Sequence, residues 1–419
     1  MTQPVESTQQ PSVKRIGSAD ISPAFPTVLL AHNYYQQAGG EDQVFASESS
    51  MLRGRGHRVV EFVRDNRSID VSGPMGQARL MSRTIWSRPA RKELATLVAR
   101  ERPSIAHFHN TFPLISPSAY AAAREFGVPV VQTLHNYRLL CPNAIFFRDG
   151  QVCQECLGKL IPWPGVRHRC YRGSAAAGGA VAGMLAAHRL LGNWDRLVDV
   201  YIVLTEFARD QFTRGGFSAD QLMVKPNFVD PDPGTGHHRG RFALFAGRLS
   251  AEKGVKTLLE AWREVGDHLP LVIAGDGPLA GEVAAMAEKL PSIRWLGRQT
   301  EAEVGKLMGE ASFLIVPSTW YEGMPRVIVE AYARGTPVVA SRIGALPEIV
   351  DDERTGHLFD PGNVDQLAEA LLSLAHDDQR LQRLSRSARA EFEAKYTAEA
   401  NYARLLEIYS AAAGRAGLS

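Results

Sequence analysis

"PSTWYEGMPRVIVEAYARGTPVVAS", residues 317–341, decides how this chain folds. The apolar run FLIVPS (313–318) enters it and a second run, TPVVAS, closes it. Between them a Gly/Pro-marked turn gives way to RVIVEAYARG, whose apolar residues recur at helix spacing. Pro325 suits the first helical turn, where its missing N–H costs nothing. The stretch therefore reads strand, turn, helix, strand. It carries two glutamates with seven residues between them. Glu322 stands at the mouth of the helix, and Glu330 about two turns along it.

The same alternation runs outward in both directions. Before residue 227, TVLLAHN, HRVVEFV, SIAHFHN, PVVQTLH and VDVYIVLT read as strands, with EDQVFASESSMLRGRG and SPSAYAAAREFG as helices between them. The pattern stops at NFVDPDPGTGHHRGR (227–241), an aperiodic Pro/Gly/Asp cluster that reads as a linker. It restarts with FALFAGR, LPLVIAG, SIRWLG, FLIVPS and TPVVAS, interleaved with further helices. Continuous apolar strands alternating with helices imply parallel sheets covered on both faces. The predicted fold class is α/β, with two Rossmann-like doubly wound domains facing across a cleft. The predicted domains are residues 27–228 and 229–396, preceded by a polar tail (1–26) and followed by a terminal helix (397–419). From about Asp377 the end reads as one long helical stretch with few breakers.

The 419 residues exceed one ordinary core, which agrees with two domains. Forty-seven basic residues against 45 acidic give a net charge of +2, so nothing global argues for nucleic acid as partner. The tail lacks the apolar core of a signal peptide, and no run of about 18 apolar residues predicts a membrane span. A cytoplasmic location is the expectation.

In open α/β sheets, ligands lie beyond the carboxyl ends of the strands. Gly39 and Gly40 follow the first strand and precede a helix, where bare backbone and a helix N-terminus favour an anion; an ordinary turn has the same look. His109 and His135 end the third and fourth strands. Arg248 and Lys253, in GRLSAEKG, follow the first strand of the second half beside a helix start. Two cations plus helix amides suit a diphosphate, although a solvated loop carries such residues too. The IAGDGP turn (273–278) either approaches a ligand or merely turns the chain. At Glu322, Gly323 and Met324, a carboxylate can accept from sugar hydroxyls and the amides can hold an anion. Glu330 is costly if buried without donors, and a ribose diol would supply two; a solvated helix-face carboxylate is the plainer alternative.

These ordered motifs carry a resemblance. GGED after the first strand, GRLSAEKG, IAGDGP, PSTWYEGMPRVIVEA and GTPVVASRIGALPEIV resemble the retaining glycosyltransferases of family 4, which have the GT-B fold, over nearly the whole chain after the tail. The resemblance implies transfer of a sugar from a UDP- or GDP-sugar with retention of configuration. It implies His135 and Glu322 at the reacting centre, Arg248 and Lys253 on the diphosphate, Glu330 on the ribose, and Gly39 and Gly40 closing over the phosphates. It implies no metal for catalysis, a terminal helix that crosses back to the first domain, and a glycan or lipid-linked acceptor at the inner membrane face. KLIPWPGVRHRCYRG is compatible with such membrane contact. Two other classes compete: a non-catalytic nucleotide-sugar-binding regulator, and a dehydrogenase. The regulator is disfavoured by the intact set Arg248, Lys253, Glu322 and Glu330. The dehydrogenase is disfavoured because AGDGPLAG lacks the full dinucleotide fingerprint in its first βα unit.

All four cysteines, Cys141, Cys153, Cys156 and Cys170, fall in one turn-rich segment containing a C-x-x-C. A structural zinc site is one reading, paired disulfides a second and free thiols a third. The missing export signal weighs against disulfides.

Overall fold

The computed structural model describes residues 25–36, 39–69 and 73–417. Residues 1–24 of the predicted tail lie outside the described residues. The first domain runs β1 (Thr27–Tyr34), α1 (Gly40–Gly54), β2 (Arg58–Asp65), α2 (Gly73–Ile85), α3 (Arg88–Glu101), β3 (Ile105–Phe108), α4 (Ser118–Arg124) and β4 (Val130–Leu134). It continues with the hairpin β5 (Phe147–Arg148) and β6 (Gln151–Val152), α5 (Trp163–Arg167), α6 (Ala175–Leu190), α7 (Asn193–Leu197), β7 (Val200–Val203), α8 (Glu206–Arg214) and β8 (Leu222–Val224). The second domain runs β9 (Ala243–Ala246), α9 (Val255–Val265), β10 (Leu271–Ala274), α10 (Ala280–Lys289), β11 (Ile293–Trp295), α11 (Glu301–Glu310), β12 (Phe313–Val316), α12 (Arg326–Ala333), β13 (Val338–Ser341), α13 (Leu346–Ile349), β14 (Gly356–Phe359), α14 (Val364–Ala375) and α15 (Asp378–Lys395). The last helix is α16 (Ala398–Ala416).

Each domain holds one six-stranded parallel sheet. The orders are β2-β1-β3-β4-β7-β8 and β11-β10-β9-β12-β13-β14. Central strands such as β3, β9 and β12 are apolar because helices cover both of their faces, which leaves nearly every residue buried. Edge strand β2 buries only Phe62, and its sequence is accordingly mixed. Chain order reverses between β1 and β3 in the first sheet and between β9 and β12 in the second. These are the switch points at which α/β sheets open a crevice for a ligand.

Several sequence readings need correction. The long terminal stretch is two helices, because Thr397 accepts from the Ala400 amide and starts α16 as an N-cap. Helix α12 begins at Arg326, one residue after Pro325, so Glu330 sits just over one turn along it. Strands β8 and β14 and the β5–β6 hairpin lie outside the strands read from the sequence; the hairpin's two-residue strands are too short to show a period. The aperiodic segment 227–241 is anchored: Gly236 and His238 bond to Arg334, Gly309 and Ala311 of the second domain.

Helix α16 packs on the first domain. Leu405, Ile408 and Tyr409 share a core with Val28, Leu30 and Phe45. Beneath it Lys225 Nζ lies 3.0 Å from Glu48 and 3.2 Å from Asn401 of α16.

Candidate active site

The second domain's switch point gathers the cations. Arg248 follows β9, is exposed, and has no ion-pair partner among the described residues. Five residues on, Lys253 Nζ stands 2.7 Å from Glu322 Oε1 and 5.3 Å from the Trp320 ring centroid. The approach depends on Gly254, at φ +72°, because a Cβ there would run into the Pro317 carbonyl at the end of β12. Glu322 is 4% exposed, and Ser318 also donates to its Oε1, at 2.7 Å. Lys253, Ser318, Glu322 and Pro325 line one cavity.

The loop from Glu322 to Met324 is also where the domains touch. The Glu322 carbonyl accepts from Tyr137, the Gly323 carbonyl from Thr205 and the Met324 carbonyl from Asn227, at 3.5, 3.4 and 3.0 Å. The Met324 sulfur faces the Asn227 amide at 3.1 Å. A Cβ on residue 323 would lie 3.1 Å from the His135 carbonyl, so glycine lets the loop press against the first domain. Across the same junction Glu348 caps α8, accepting from the Glu206 and Phe207 amides at 2.8 and 3.0 Å. The Gly323 and Met324 amides donate to no protein acceptor among the described residues, and Pro325 gives α12 no side-chain cap. The helix mouth is thus free to hold an anion.

Glu330 is half-buried on α12, its Oε1 2.9 Å from Arg326 Nε. Burial raises its carboxyl pKa, and Arg326 offsets this only in part. It is neither fully solvated nor well supplied with donors, which keeps the diol reading open.

The first domain's switch point contributes the opposite wall. Gly39 is the N-cap of α1, its amide bonded to Asp42 at 2.9 Å. Among the described residues, nothing outside the local backbone lies within 4 Å of where a Cβ would stand on Gly39 or Gly40, so this backbone is bare. His135 follows β4 and lines a cavity with Glu41, His109, Asn136 and Arg138. Its Nε2 shares a 3.0 Å hydrogen bond with His109 Nδ1. Burial, then the neighbouring His109 and His32, hold the His135 pKa well below the usual range, so the ring is neutral.

His109, which lines the same cavity, is only 2% exposed; one ring nitrogen engages His135 and the other lies 3.4 Å from Glu48 Oε1. Burial, then His107, bring its pKa down to about 3. Behind it, Glu48 pairs with Lys225 and lies 2.9 Å from His107 Nδ1. Burial pushes the Glu48 carboxyl up, but Lys225 and His107 outweigh that and hold it well below its usual value. Glu48, His107 and His109 stand at metal-ligand spacing, yet the Lys225 ammonium already supplies the counter-charge.

Glu41 escaped the sequence reading although it belongs to the GGED run. Burial raises its carboxyl pKa to about 7, and hydrogen bonds to Tyr35 and Asn136 offset the rise only in part. It is a titratable group within the His135 cavity. The signal was its place in the first turn of a helix that points into a switch point.

Residues 39–227 match the glycosyl transferase 4-like domain, and residues 233–391 match glycosyl transferases group 1. The chain belongs to this glycosyltransferase family. An uncharacterized glycosyltransferase of Methanocaldococcus jannaschii is 34% identical over 40% of this chain and 47% of its own length. Sulfoquinovosyl transferase SQD2 of Arabidopsis thaliana is 26% identical over 75% and 58%, and an MMP α-(1→4)-mannosyltransferase of Mycolicibacterium hassiacum 30% identical over 52% and 56%. The matched stretches thus span about half to three-fifths of these relatives' lengths. Among solved structures, Anabaena Alr3699/HepE in complex with UDP superposes with a TM-score of 0.65 at 18% identity, over 92% of this chain and 99% of that one. Sucrose-phosphate synthase from Thermosynechococcus elongatus gives 0.66 at 18% identity, over 92% and 98%. These likenesses establish the GT-B fold.

Proposed function

We propose that this protein transfers a sugar, with retention of configuration, from a UDP- or GDP-sugar to a glycan or lipid-linked acceptor. One observation carries the reading. Lys253 and the unbonded amides of Gly323 and Met324 lie at the second sheet's switch point, and the exposed Arg248 stands two residues after β9 at the same end of that sheet. Such a set holds a diphosphate and stabilises its negative charge as the glycosidic bond breaks, so the mechanism calls for no divalent metal. Glu330 takes the ribose diol, and Glu322 takes hydroxyls of the transferred sugar.

The acceptor enters from the first domain, past Glu41 and His135. In a front-face displacement the leaving phosphate oxygen takes the acceptor proton, and neutral His135 orients the reacting sugar. The bare backbone at Gly39 and Gly40 closes over the phosphates and helps exclude water that would hydrolyse the donor. Support for the donor class comes from the relatives, which include sulfoquinovosyl and mannosyl transferases, and from the UDP in the Anabaena complex.

A membrane-borne acceptor is supported by exposed Leu160, Ile161 and Trp163, which stand beside Lys159 and Arg167. No helix among the described residues is long and apolar enough to cross a membrane, so the contact would be peripheral, at the inner face of the cytoplasmic membrane.

The test is thermal shift against UDP-, GDP- and ADP-sugars, because a ligand of the native state raises its stability. The stabilising donor is then carried into turnover, with the product's anomeric configuration read by NMR. No stabilisation by any of the three nucleotide classes at millimolar concentration, or an inverted product, defeats the reading.

A further inference from the structure

The segment 141–170 has almost no regular structure of its own. It contains the two-residue strands β5 and β6 and the five-residue helix α5. Phe146 anchors it in the first domain's core, but Ile145, Phe147, Val152 and Leu157 are only partly buried, so apolar burial offsets only part of the cost of ordering its backbone. It nevertheless displays Leu160, Ile161 and Trp163 to solvent, each about half exposed. Something else must hold it in shape.

All four cysteines of the chain line a single small cavity inside this segment, and none is in a disulfide. They reach it from different parts of the segment. The Cys141 amide bonds to the Tyr137 carbonyl at 2.8 Å, that of Cys153 to Phe146 at 2.7 Å, and that of Cys170 to Gly165 at 2.9 Å. Residue 165 is glycine because a Cβ would stand 2.8 Å from the Pro142 ring, so its absence lets α5 close against the Cys141 turn. The backbone is thus folded around the cavity that the four cysteines line.

We propose that Cys141, Cys153, Cys156 and Cys170 bind one structural Zn²⁺ as a closed tetrathiolate site. The chemistry fits. Zn²⁺ takes cysteine as thiolate, so its binding would release the thiol protons to solvent. With four sulfur ligands no position stays open for substrate or water, so the ion staples the loop and does no chemistry. The sulfurs are not among the ligand groups that already lie within 4.8 Å of one another among the described residues. Tetrahedral Zn–S bonds of about 2.3 Å place sulfurs roughly 3.8 Å apart. Side-chain rotations within the existing cavity would close that gap.

The inference is independent of the transferase reading, and its test needs no turnover. Full-length protein purified without chelator should contain about one equivalent of zinc. Its four thiols should react with a thiol reagent only after the metal is stripped. Cobalt substitution should give the thiolate-to-metal charge-transfer bands of a tetrahedral four-sulfur site. Cys153→Ser should reduce bound zinc at least tenfold. If that variant does not fold, limited proteolysis of chelator-treated wild-type protein should show new cleavage confined to 141–170. Less than a tenth of an equivalent of zinc with four native reactive thiols overturns the proposal. So do two disulfides by mass, one equivalent of iron in place of zinc, and a cobalt spectrum without thiolate bands.

Discussion

Lys253 Nζ and Glu322 Oε1 are 2.7 Å apart, a cation and a carboxylate bonded directly at the donor switch point. On the proposed donor site, an entering diphosphate would compete with Glu322 for Lys253 and leave Glu322 with spare acceptor capacity for sugar hydroxyls. The ion pair would then be a rest state that donor binding exchanges for two separate contacts. Lys253→Ala and Arg248→Ala should each weaken nucleoside-diphosphate binding about tenfold or more, and nucleoside-monophosphate binding less, charge-assisted bonds being the strong ones. Calorimetry with the two nucleotides decides it. Unchanged diphosphate affinity in both variants removes the cations from the phosphate site.

The two glutamates should fail in different ways. Glu322→Gln leaves Lys253 without its carboxylate partner, so diphosphate affinity should hold or rise while kcat falls by about a hundredfold. Glu330→Gln should chiefly raise the donor KM, by about tenfold, the loss of one or two hydrogen bonds to a charged group. Steady-state kinetics with a fixed acceptor separates the patterns. The same pattern in both variants would contradict the assignment of sugar to one and ribose to the other.

Glu41 sets a pH dependence with a definite sign. Its carboxyl pKa is raised from 4.5 in the free side chain to about 7 in the folded protein, chiefly by burial beside Tyr35, Asp42, Asn136 and Arg138. The folded state binds this proton more tightly than the unfolded chain does. The associated stability is fully present below about pH 4.5 and is lost as pH rises through about 7. Glu41→Gln keeps the site neutral at every pH. Its melting temperature should match the wild type near pH 4.5 and exceed it at pH 8, by up to about 3 kcal/mol of stability at 1.4 kcal/mol per pKa unit. A difference that does not change between those two pH values excludes the coupling.

Much of this architecture could be read directly in the sequence, because central parallel strands are buried on both faces and read as unbroken apolar runs. Val28–Ala31 and Phe313–Val316 are examples. The residues after those strands pointed to both switch points. What the sequence hid were relations set by distant chain. His109 looks like a cleft residue by position, yet Glu48 from α1 and His135 from the end of β4 occupy its nitrogens. Lys225 looks like a loop lysine, yet α1 and α16 bury it. Glu348 carries no local sign that it caps a helix of the other domain. Each depends on packing between segments 26 to 177 residues apart, which periodicity does not report.

The Glu48–Lys225 pair ties α1 to the strand-end segment beneath α16, both side chains nearly inaccessible. Removing one member strands a charge in the interior, which costs about 3–5 kcal/mol. Glu48→Gln should therefore lower the stability of the first domain by that order. The double variant Glu48→Gln, Lys225→Met should recover most of it, because no uncompensated charge remains. Urea denaturation of the single and double variants measures the coupling. A single variant within about 0.5 kcal/mol of wild type shows that the pair contributes little.

The exposed apolar side chains of the cysteine segment should mediate peripheral membrane contact. Leu160, Ile161 and Trp163 are 49, 53 and 51% exposed, and the nearby sequence carries Lys159, Arg167, Arg169 and Arg172. Apolar side chains flanked by cations fit an anionic interface, each cation near the surface contributing on the order of 1 kcal/mol. The triple variant Leu160→Ser, Ile161→Ser, Trp163→Ser should lose at least tenfold in partitioning to phosphatidylglycerol-containing vesicles. Neutral phosphatidylcholine vesicles should bind wild type weakly, and added salt should release it. Nucleotide-diphosphate affinity should be unchanged, since these residues belong to the first domain and the cations to the second. Equal sedimentation of wild type and the triple variant with anionic vesicles would show that this surface does not meet the membrane.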